Sequence, residues 1–169
     1  VRDAQNNVLD AWWQEFGYGL SIALTDTFGS DFFYQVAPTQ VAKEWKGIRQ
    51  DSGDPFEEGE KALQWYESHG VDPRQKMIVF SDGLDVDLII RLYQHFRGRI
   101  GTTFGWGTNL TNDLGLPALS LVVKTVEANG RGLVKLSNNL AKAIGNSEDI
   151  EWVKKQCGYT NMYSQECRY

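Results

Sequence analysis

Two short stretches of this chain combine residue types that bind anions and sugars. Residues 49–54 read RQDSGD, and residues 104–113 read FGWGTNLTND. The guanidinium of Arg49 offers a planar fork of donors that suits a phosphate or a carboxylate. The carboxylate of Asp51 can accept hydrogen bonds from hydroxyl groups or share a hydrated divalent cation. This chemistry suits a phosphorylated sugar.

The second stretch adds a glycine-rich turn. Glycines between Gly105 and Asn109 let backbone N–H groups approach an anion closely, and Thr108 adds a hydroxyl group. The turn alone is a weak indication, because a tight strand-to-helix turn without a ligand has the same composition. No nucleophile pair is indicated, since the two histidines, His69 and His95, fall at the C-terminal ends of helical patterns.

The stretches follow apolar runs that are typical of buried strands. Residues 20–25 are a short apolar run that suits a buried strand, residues 46–51 predict a weaker strand, and residues 77–80 and 99–104 predict two more. Helical patterns fill the intervals, and two of these helices are predicted to begin after the N-caps Asp54 and Asp85. Strands that alternate with helices indicate parallel pairing through right-handed crossovers, so residues 1–116 are predicted to be α/β.

Three predicted helices carry apolar residues at helical spacing. In the helix over residues 1–16 these are Val1, Ala4, Val8, Trp12 and Phe16. In the helix after the first strand they are Phe28, Phe32, Phe33 and Val36. In the helix after Asp85 they are Val86, Ile89, Ile90, Tyr93 and Phe96. Residues at steps of three and four share a helix face, so each set is predicted to face the core or an interface.

A cluster of polar or glycine residues ends each predicted strand. The four clusters are Asp26, then Arg49 with Asp51, then Ser81 with Asp82, then Gly105 to Asn109. The intervals from Asp26 to Asp51, Asp82 and Gly107 are 25, 31 and 25 residues, each about the length of one βαβ unit. Equivalent ends of parallel strands lie at one edge of a sheet, and ligands bind at the C-terminal edge. The clusters are therefore predicted to line a single site.

The pattern changes after Pro117. The apolar stretches LSLVVKTVE and GLVKLS flank Asn129-Gly130, which is a strong signal for an antiparallel hairpin. A last helix is predicted from about Ser147 to Cys157. The predicted units are thus an α/β part over residues 1–116 and a hairpin with a helical tail over residues 117–169.

Composition narrows the functional classes. The chain has 169 residues and a net charge of -5 without a basic block, which argues against nucleic-acid binding. No apolar run approaches the roughly 20 residues that span a bilayer, and no signal peptide is predicted. The cysteines Cys157 and Cys167 lack metal-ligand and disulfide spacing, which favours a cytoplasmic location. Because Val1 is not a methionine, we expect a piece or processed part of a longer polypeptide.

Five ordered motifs resemble the C-terminal half of nicotinate phosphoribosyltransferases. They are ALTDTFGSDFF, GIRQDSGDPFEEGEKA, VFSDGLDVD, FGWGTNLTND and LVVKTVEANGRGLVKLSNN. The resemblance covers about residues 8 to 145 and implies a partial, irregular TIM-like barrel with four parallel strands and crossover helices. It also implies the condensation of nicotinate with phosphoribosyl pyrophosphate to nicotinate mononucleotide and pyrophosphate. ATP hydrolysis would drive this step of NAD salvage.

The resemblance assigns roles to the strand-end residues. It makes Arg49 and Asp51 catalytic and substrate-binding, with Ser52 in the same pocket. The remaining substrate-binding residues would be Ser81, Asp82 and Gly83 near the ribose, and Gly107, Thr108 and Asn109 at the 5-phosphate. Mg²⁺ would be the cofactor and ATP a co-substrate, with no metal-ligating residue assigned.

The resemblance further implies a homodimer, in the cytoplasm and, in a eukaryote, also in the nucleus. The family's phosphorylated histidine belongs to a motif upstream of this region, so we expect the chain alone to be inactive. Two alternatives stay open. One is nicotinamide phosphoribosyltransferase, which shares the Arg-x-Asp-Ser-Gly motif, and the other is a non-catalytic module for phosphosugar binding or oligomerisation.

Several of these residues also have structural interpretations. Asp54 and Asp85 are expected to act only as N-caps. Asp26 is either a site residue or a cap for the helix starting at Phe28. Arg49 could instead form a structural ion pair with Asp51 or Asp54. Trp106 interrupts the glycine turn and is expected to face a partner subunit or the rest of a longer chain.

Overall fold

Four parallel strands form the central sheet. The computed structural model describes residues 1–110, 115–116, 121–161 and 163–165. The strands are β1 (Ile22–Leu24), β2 (Gly47–Gln50), β3 (Met77–Phe80) and β4 (Gly101–Phe104). They pair in the order β1-β2-β3-β4, each parallel to its neighbour. The predicted parallel α/β fold is confirmed, whereas closure into a barrel, which takes eight strands, stays a prediction.

Within the described part of the chain, six α-helices accompany the strands. They are α1 (Arg2–Phe16), α2 (Ser30–Val36), α3 (Thr39–Glu44), α4 (Pro55–Ser68), α5 (Val86–Phe96) and α6 (Ser147–Cys157). The short helix α3 was not predicted, and Phe28 precedes α2 instead of lying in it. Among the described residues, every helix is too short or too polar to span a bilayer.

The predicted N-caps are confirmed. One carboxylate oxygen of Asp54 accepts hydrogen bonds from the N–H groups of Phe56, at 2.9 Å, and Glu57, at 3.0 Å. The carboxylate of Asp85 accepts one from the N–H of Leu88 at 2.7 Å. These bonds satisfy donors that the first turn of a helix leaves open.

The predicted apolar faces of α1 and α5 are only partly buried in the core of this chain. That their other residues face an interface stays a prediction. In α1, Val8, Trp12 and Phe16 are exposed, while Leu9 is buried against the sheet core. In α5, Val86, Ile90 and Tyr93 are about half exposed, while Leu92 and Phe96 are buried. Both helices have more apolar residues than one buried face accommodates. The sheet covers only one side of each helix, and periodicity alone does not tell which side that is.

The C-terminal part begins with a hairpin that is shorter than predicted. Strand β5 (Glu127–Ala128) pairs antiparallel with β6 (Arg131–Gly132). At the turn, Asn129 has a φ of 52° and Gly130 a φ of 71°. Positive φ at both central residues is characteristic of a type I′ turn. Residues 121–126 continue without a regular ladder, and residues 117–120 lie outside the described part.

The helix α6 agrees with its predicted bounds and packs against α2. A small apolar cluster contains Phe32 of α2, Leu136, and Val153 and Cys157 of α6. The larger cluster lies between the sheet and α4 and α5, and includes Ile48, Ile78, Phe80 and Phe96. The boundary predicted between residues 116 and 117 stays a prediction, although the tail shares this small core with α2.

We predict that Gly59→Ala destabilises the protein. A methyl group at Gly59, in α4, would lie 2.2 Å from Cζ of Phe96 in α5. Overpacking of this kind lowers the free energy of unfolding by about 1–3 kcal/mol, which exceeds the gain of up to about 1 kcal/mol in helix propensity. Urea unfolding measures the difference. Gly19→Ala is the matched control, since a methyl group there meets no atom within 4 Å. Equal stability of the two variants would contradict this packing.

Candidate active site

The ends of three strands, β2, β3 and β4, open onto one cavity at the C-terminal edge of the sheet. Its volume is about 780 Å³. Eight of the nine predicted substrate-binding residues line it: Arg49, Asp51, Ser81, Asp82, Gly83, Gly107, Thr108 and Asn109. Backbone hydrogen bonds continue the parallel register one residue beyond the strands. Ser81 N–H donates to the Gln50 carbonyl at 3.0 Å, and Gly105 N–H donates to the Phe80 carbonyl at 2.8 Å. The parallel register therefore brings three of the four clusters together. Asp26, at the end of β1, is buried and does not line the cavity, so the prediction that all four clusters line a single site is wrong for this residue.

Arg49 lies at the end of β2 between two partners. Its Nε donates to Oγ of Ser81 at 2.8 Å, and one terminal nitrogen donates to the carboxylate of Asp51 at 2.7 Å. The ion pair expected from the structural interpretation thus forms. These two bonds use two of the five N–H donors of a guanidinium, and nearly half of the side chain is exposed. The same geometry holds Arg49 in place and leaves it able to bind an anion in the cavity.

A lysine from the C-terminal part enters the site beside Asp82. The ammonium group of Lys142 donates to the carboxylate of Asp82 and, at 2.9 Å, to the backbone carbonyl of Asp51. The Lys142 side chain is mostly buried and lines the cavity. It therefore connects the loops after β2 and β3. Sequence reasoning missed this residue, because Lys142 lies 60 residues after Asp82 in an irregular segment.

The glycine-rich turn forms the wall after β4. Residues Thr108–Leu110 form one turn of 3₁₀-helix, which Leu110 N–H closes onto the Gly107 carbonyl at 3.0 Å. A side chain at Gly107 would meet no atom within 4 Å, so the backbone there is open to the cavity. Trp106 packs against the main core and also lines the cavity, which gives this side chain a packing role within the chain itself.

Ser52 lies behind the cavity and is not part of its lining. Its hydroxyl is buried and donates to the carboxylate of Asp26, which is only 1% exposed. Ser137 donates to the same carboxylate at 3.0 Å, and the ammonium group of Lys135 lies 3.1 Å from its other oxygen. We call Asp26, Ser52, Lys135 and Ser137 the buried polar network. It joins the ends of β1 and β2 to the C-terminal part.

Asp26 does not cap α2, so the interpretation of this residue as a helix cap is wrong. The residue before α2 is Gly29, and the N–H of Ser30 donates to the side-chain oxygen of Asn138 at 2.8 Å. The C-terminal part thus supplies the acceptor at this helix end. Lys135 also lies 3.4 Å from the carboxylate of Asp51, so the network touches a residue that lines the cavity.

Neither histidine belongs to the site. His69 bonds through Nδ1 to the Trp65 carbonyl at 2.8 Å. His95 bonds to the carboxylate of Glu60 at 2.7 Å, and the hydrogen bond from Arg99 lowers the pKa of Glu60 to about 2. Within the described ranges, no three His, Cys, Asp or Glu side chains form a group that could hold a metal ion.

We predict that Asp26→Ala strongly destabilises the protein. The substitution leaves Lys135 and two buried hydroxyl groups without the acceptor they share, so the free energy of unfolding falls by about 3–5 kcal/mol. Asp31→Ala is the control, because Asp31 pairs with Lys61 at 2.9 Å but is largely exposed. Its loss costs less than about 1 kcal/mol. Thermal and urea unfolding distinguish the two, and a similar loss in both would contradict the role of the buried polar network.

Comparisons with known proteins agree with this geometry. Residues 1–161 match the nicotinate phosphoribosyltransferase (NAPRTase) family. A crystal structure of nicotinate phosphoribosyltransferase from Vibrio cholerae is similar, with 36% sequence identity and a TM-score of 0.89, over 94% of this chain and 40% of that one. The enzyme from Porphyromonas gingivalis is also similar, with 34% identity and a TM-score of 0.86, over 93% of this chain and 42% of that one.

The chain thus spans about two fifths of the length of the structures that it matches. The match includes the sheet, the strand-end clusters and the C-terminal segment with Lys142, since it extends to residue 161. This chain belongs to the nicotinate phosphoribosyltransferase family.

Proposed function

We propose that this chain forms the phosphoribosyl-binding part of a nicotinate phosphoribosyltransferase. The whole enzyme would convert nicotinate and phosphoribosyl pyrophosphate to nicotinate mononucleotide and pyrophosphate in NAD salvage. The observation that carries the proposal is that Arg49, Asp82 and Thr108, from three different strand ends, line one cavity. The family match supports nicotinate, and both similar structures carry that substrate in their names, so nicotinamide is not favoured.

Different residues of the cavity would bind different parts of the substrate. The backbone at Gly107 and the hydroxyl of Thr108 would hold the 5-phosphate, as glycine-rich turns do for other phosphates. Asp82 would accept hydrogen bonds from ribose hydroxyl groups. Arg49 would bind the carboxylate of nicotinate or a phosphate oxygen, because its planar fork matches either group.

The reaction breaks the bond between the anomeric carbon and the pyrophosphate oxygen. The bonding electrons leave with pyrophosphate, and the nicotinate nitrogen then bonds to the same carbon. Positive charge that develops on the ribose ring would be stabilised by the carboxylates of Asp51 and Asp82, which Arg49 and Lys142 already hold in fixed positions. No group of the chain needs to bond covalently to the sugar, so catalysis by these residues is mostly positioning.

Magnesium fits this site as a partner of the substrate. Mg²⁺ in phosphate-binding sites is held by one or two carboxylates together with substrate phosphates, and Asp51 and Asp82 provide two carboxylates in the cavity lining. It would neutralise part of the charge on the leaving pyrophosphate.

Other features of the proposal concern the longer enzyme. ATP hydrolysis would require a phosphorylated histidine, and neither His69 nor His95 is placed at the cavity. We therefore propose that the 169-residue chain alone is inactive. From its family membership we further propose that the working enzyme is a cytoplasmic homodimer. An assay of the chain alone and of the longest expressed protein tests this, with nicotinate and nicotinamide as competing bases. Product from nicotinamide at an equal rate would contradict the assignment of nicotinate.

We predict that Arg49→Ala and Thr108→Ala each weaken the binding of phosphoribosyl pyrophosphate by tenfold or more. Each removes a donor to a charged group, which is worth about 1.5–3 kcal/mol. Isothermal titration calorimetry with Mg²⁺ measures the change. Arg74→Ala is the control, since Arg74 pairs with Asp72 on the surface and does not line the cavity. Affinities within twofold of the unmodified protein for both site variants would refute the site.

A further inference from the structure

We propose that Lys124 and Lys142, from the C-terminal part, form the subsite for the pyrophosphate group of the substrate. The proposal rests on the proposed function and adds residues that the strand-end argument does not include. It starts from the formal charges along the cavity wall.

The strand ends alone give the cavity the wrong charge for a phosphorylated ligand. Their charged residues in the lining are Arg49, Asp51 and Asp82, which leave one net negative charge. Phosphoribosyl pyrophosphate carries several negative charges at neutral pH. A low-dielectric cleft of the same sign would repel it, because field lines concentrate between the walls of a cleft. Binding such a ligand requires positive charge in addition to Arg49.

The C-terminal part supplies this charge. Lys124 and Lys142 are the other charged residues in the described lining, and together they make its net formal charge positive. The chain as a whole has a net charge of -5, so the cavity departs in sign from the rest of the molecule. A positively charged cleft in a negatively charged protein attracts an anionic ligand more strongly than the surrounding surface does.

The two lysines lie close together. Nζ of Lys124 lies 3.4 Å from the backbone carbonyl of Lys142, so the end of the Lys124 side chain lies beside the backbone from which the Lys142 side chain starts. Lys142 is held between the Asp82 carboxylate and the Asp51 carbonyl. An ammonium group held in this way keeps its position when the ligand binds, which reduces the entropy lost on binding.

The position of the lysines favours the pyrophosphate over the 5-phosphate. The glycine-rich turn at Gly107 and Thr108 is the element suited to the 5-phosphate. Lys142 instead contacts the loops after β2 and β3, where Asp51 and Asp82 would face the sugar and its leaving group. We therefore assign the lysines to the group that departs. Lys135, in the buried polar network, is not part of the lining and acts as a positioning residue for Asp51.

The test compares three ligands on protein that carries residues 1–169. Calorimetry with Mg²⁺ measures the affinities for inorganic pyrophosphate, phosphoribosyl pyrophosphate and ribose 5-phosphate. The variants are Lys142→Gln and Lys124→Gln, which remove the charge but keep a polar side chain. Lys154→Gln is the matched control, because Lys154 also pairs with a carboxylate, Glu151 at 2.8 Å, but does not line the cavity.

We expect Lys142→Gln to weaken the binding of both pyrophosphate ligands at least tenfold and Lys124→Gln at least threefold. Ribose 5-phosphate should change less than twofold, and Lys154→Gln should change nothing. If Lys142→Gln disturbs folding, as a lower unfolding temperature would show, Lys124→Gln decides the question, since its one described contact is long.

Two results would overturn the proposal, and they differ from failure of the proposed function. Unchanged pyrophosphate affinity in folded variants would show that the lysines are not the subsite. An equal loss for ribose 5-phosphate would show that they bind the 5-phosphate or act only through the general field. If the unmodified protein in its longest expressed form bound none of the three ligands, the proposed function itself would fail.

Discussion

The burial of the Asp26 carboxylate is the constraint on which the site depends. A charge that is withdrawn from water must be paired and hydrogen-bonded, and the partners of Asp26 come from two distant parts of the chain. Ser52 follows β2, whereas Lys135 and Ser137 belong to the C-terminal part. Satisfying this one carboxylate therefore fixes the tail against the sheet. Lys142, five residues after Ser137, is thereby brought to the cavity wall.

The cavity is formed by two features, the parallel pairing of the strands and the packing of the C-terminal part. Parallel pairing sets the loops after β2, β3 and β4 side by side, and backbone hydrogen bonds continue the register beyond the strands. The C-terminal part then adds Lys124 and Lys142 to Arg49, the one cation that the strand ends contribute to the described lining. The carboxylates and the cations of the site thus come largely from different segments. Their mutual ion pairs hold the side chains in place before a ligand binds, which is the condition for catalysis by positioning.

The local features of the chain were predictable, while the long-range ones were not. Helix α6, strand β3 and the caps Asp54 and Asp85 follow from residue types at fixed spacing, and they agree with the structure. The grouping of the loops after β2, β3 and β4 at one cavity was predictable from the parallel pairing of these strands. The burial of Ser52 and the entry of Lys142 did not, because each depends on how an irregular tail packs. The exposed stripes of α1 and α5 show the same limit, since spacing defines a face but not its neighbour.

In the proposed complex, one small phosphorylated molecule contacts the loops after β2, β3 and β4 and the C-terminal part at once. A crystal structure of the protein with phosphoribosyl pyrophosphate and Mg²⁺ measures this directly. We expect the 5-phosphate at the turn of Gly107 and Thr108, the ribose beside Asp82, and the pyrophosphate within hydrogen-bond distance of Lys142. A ligand bound outside this cavity, or one that leaves Asp82 and Thr108 too far apart to contact the same molecule, would contradict it.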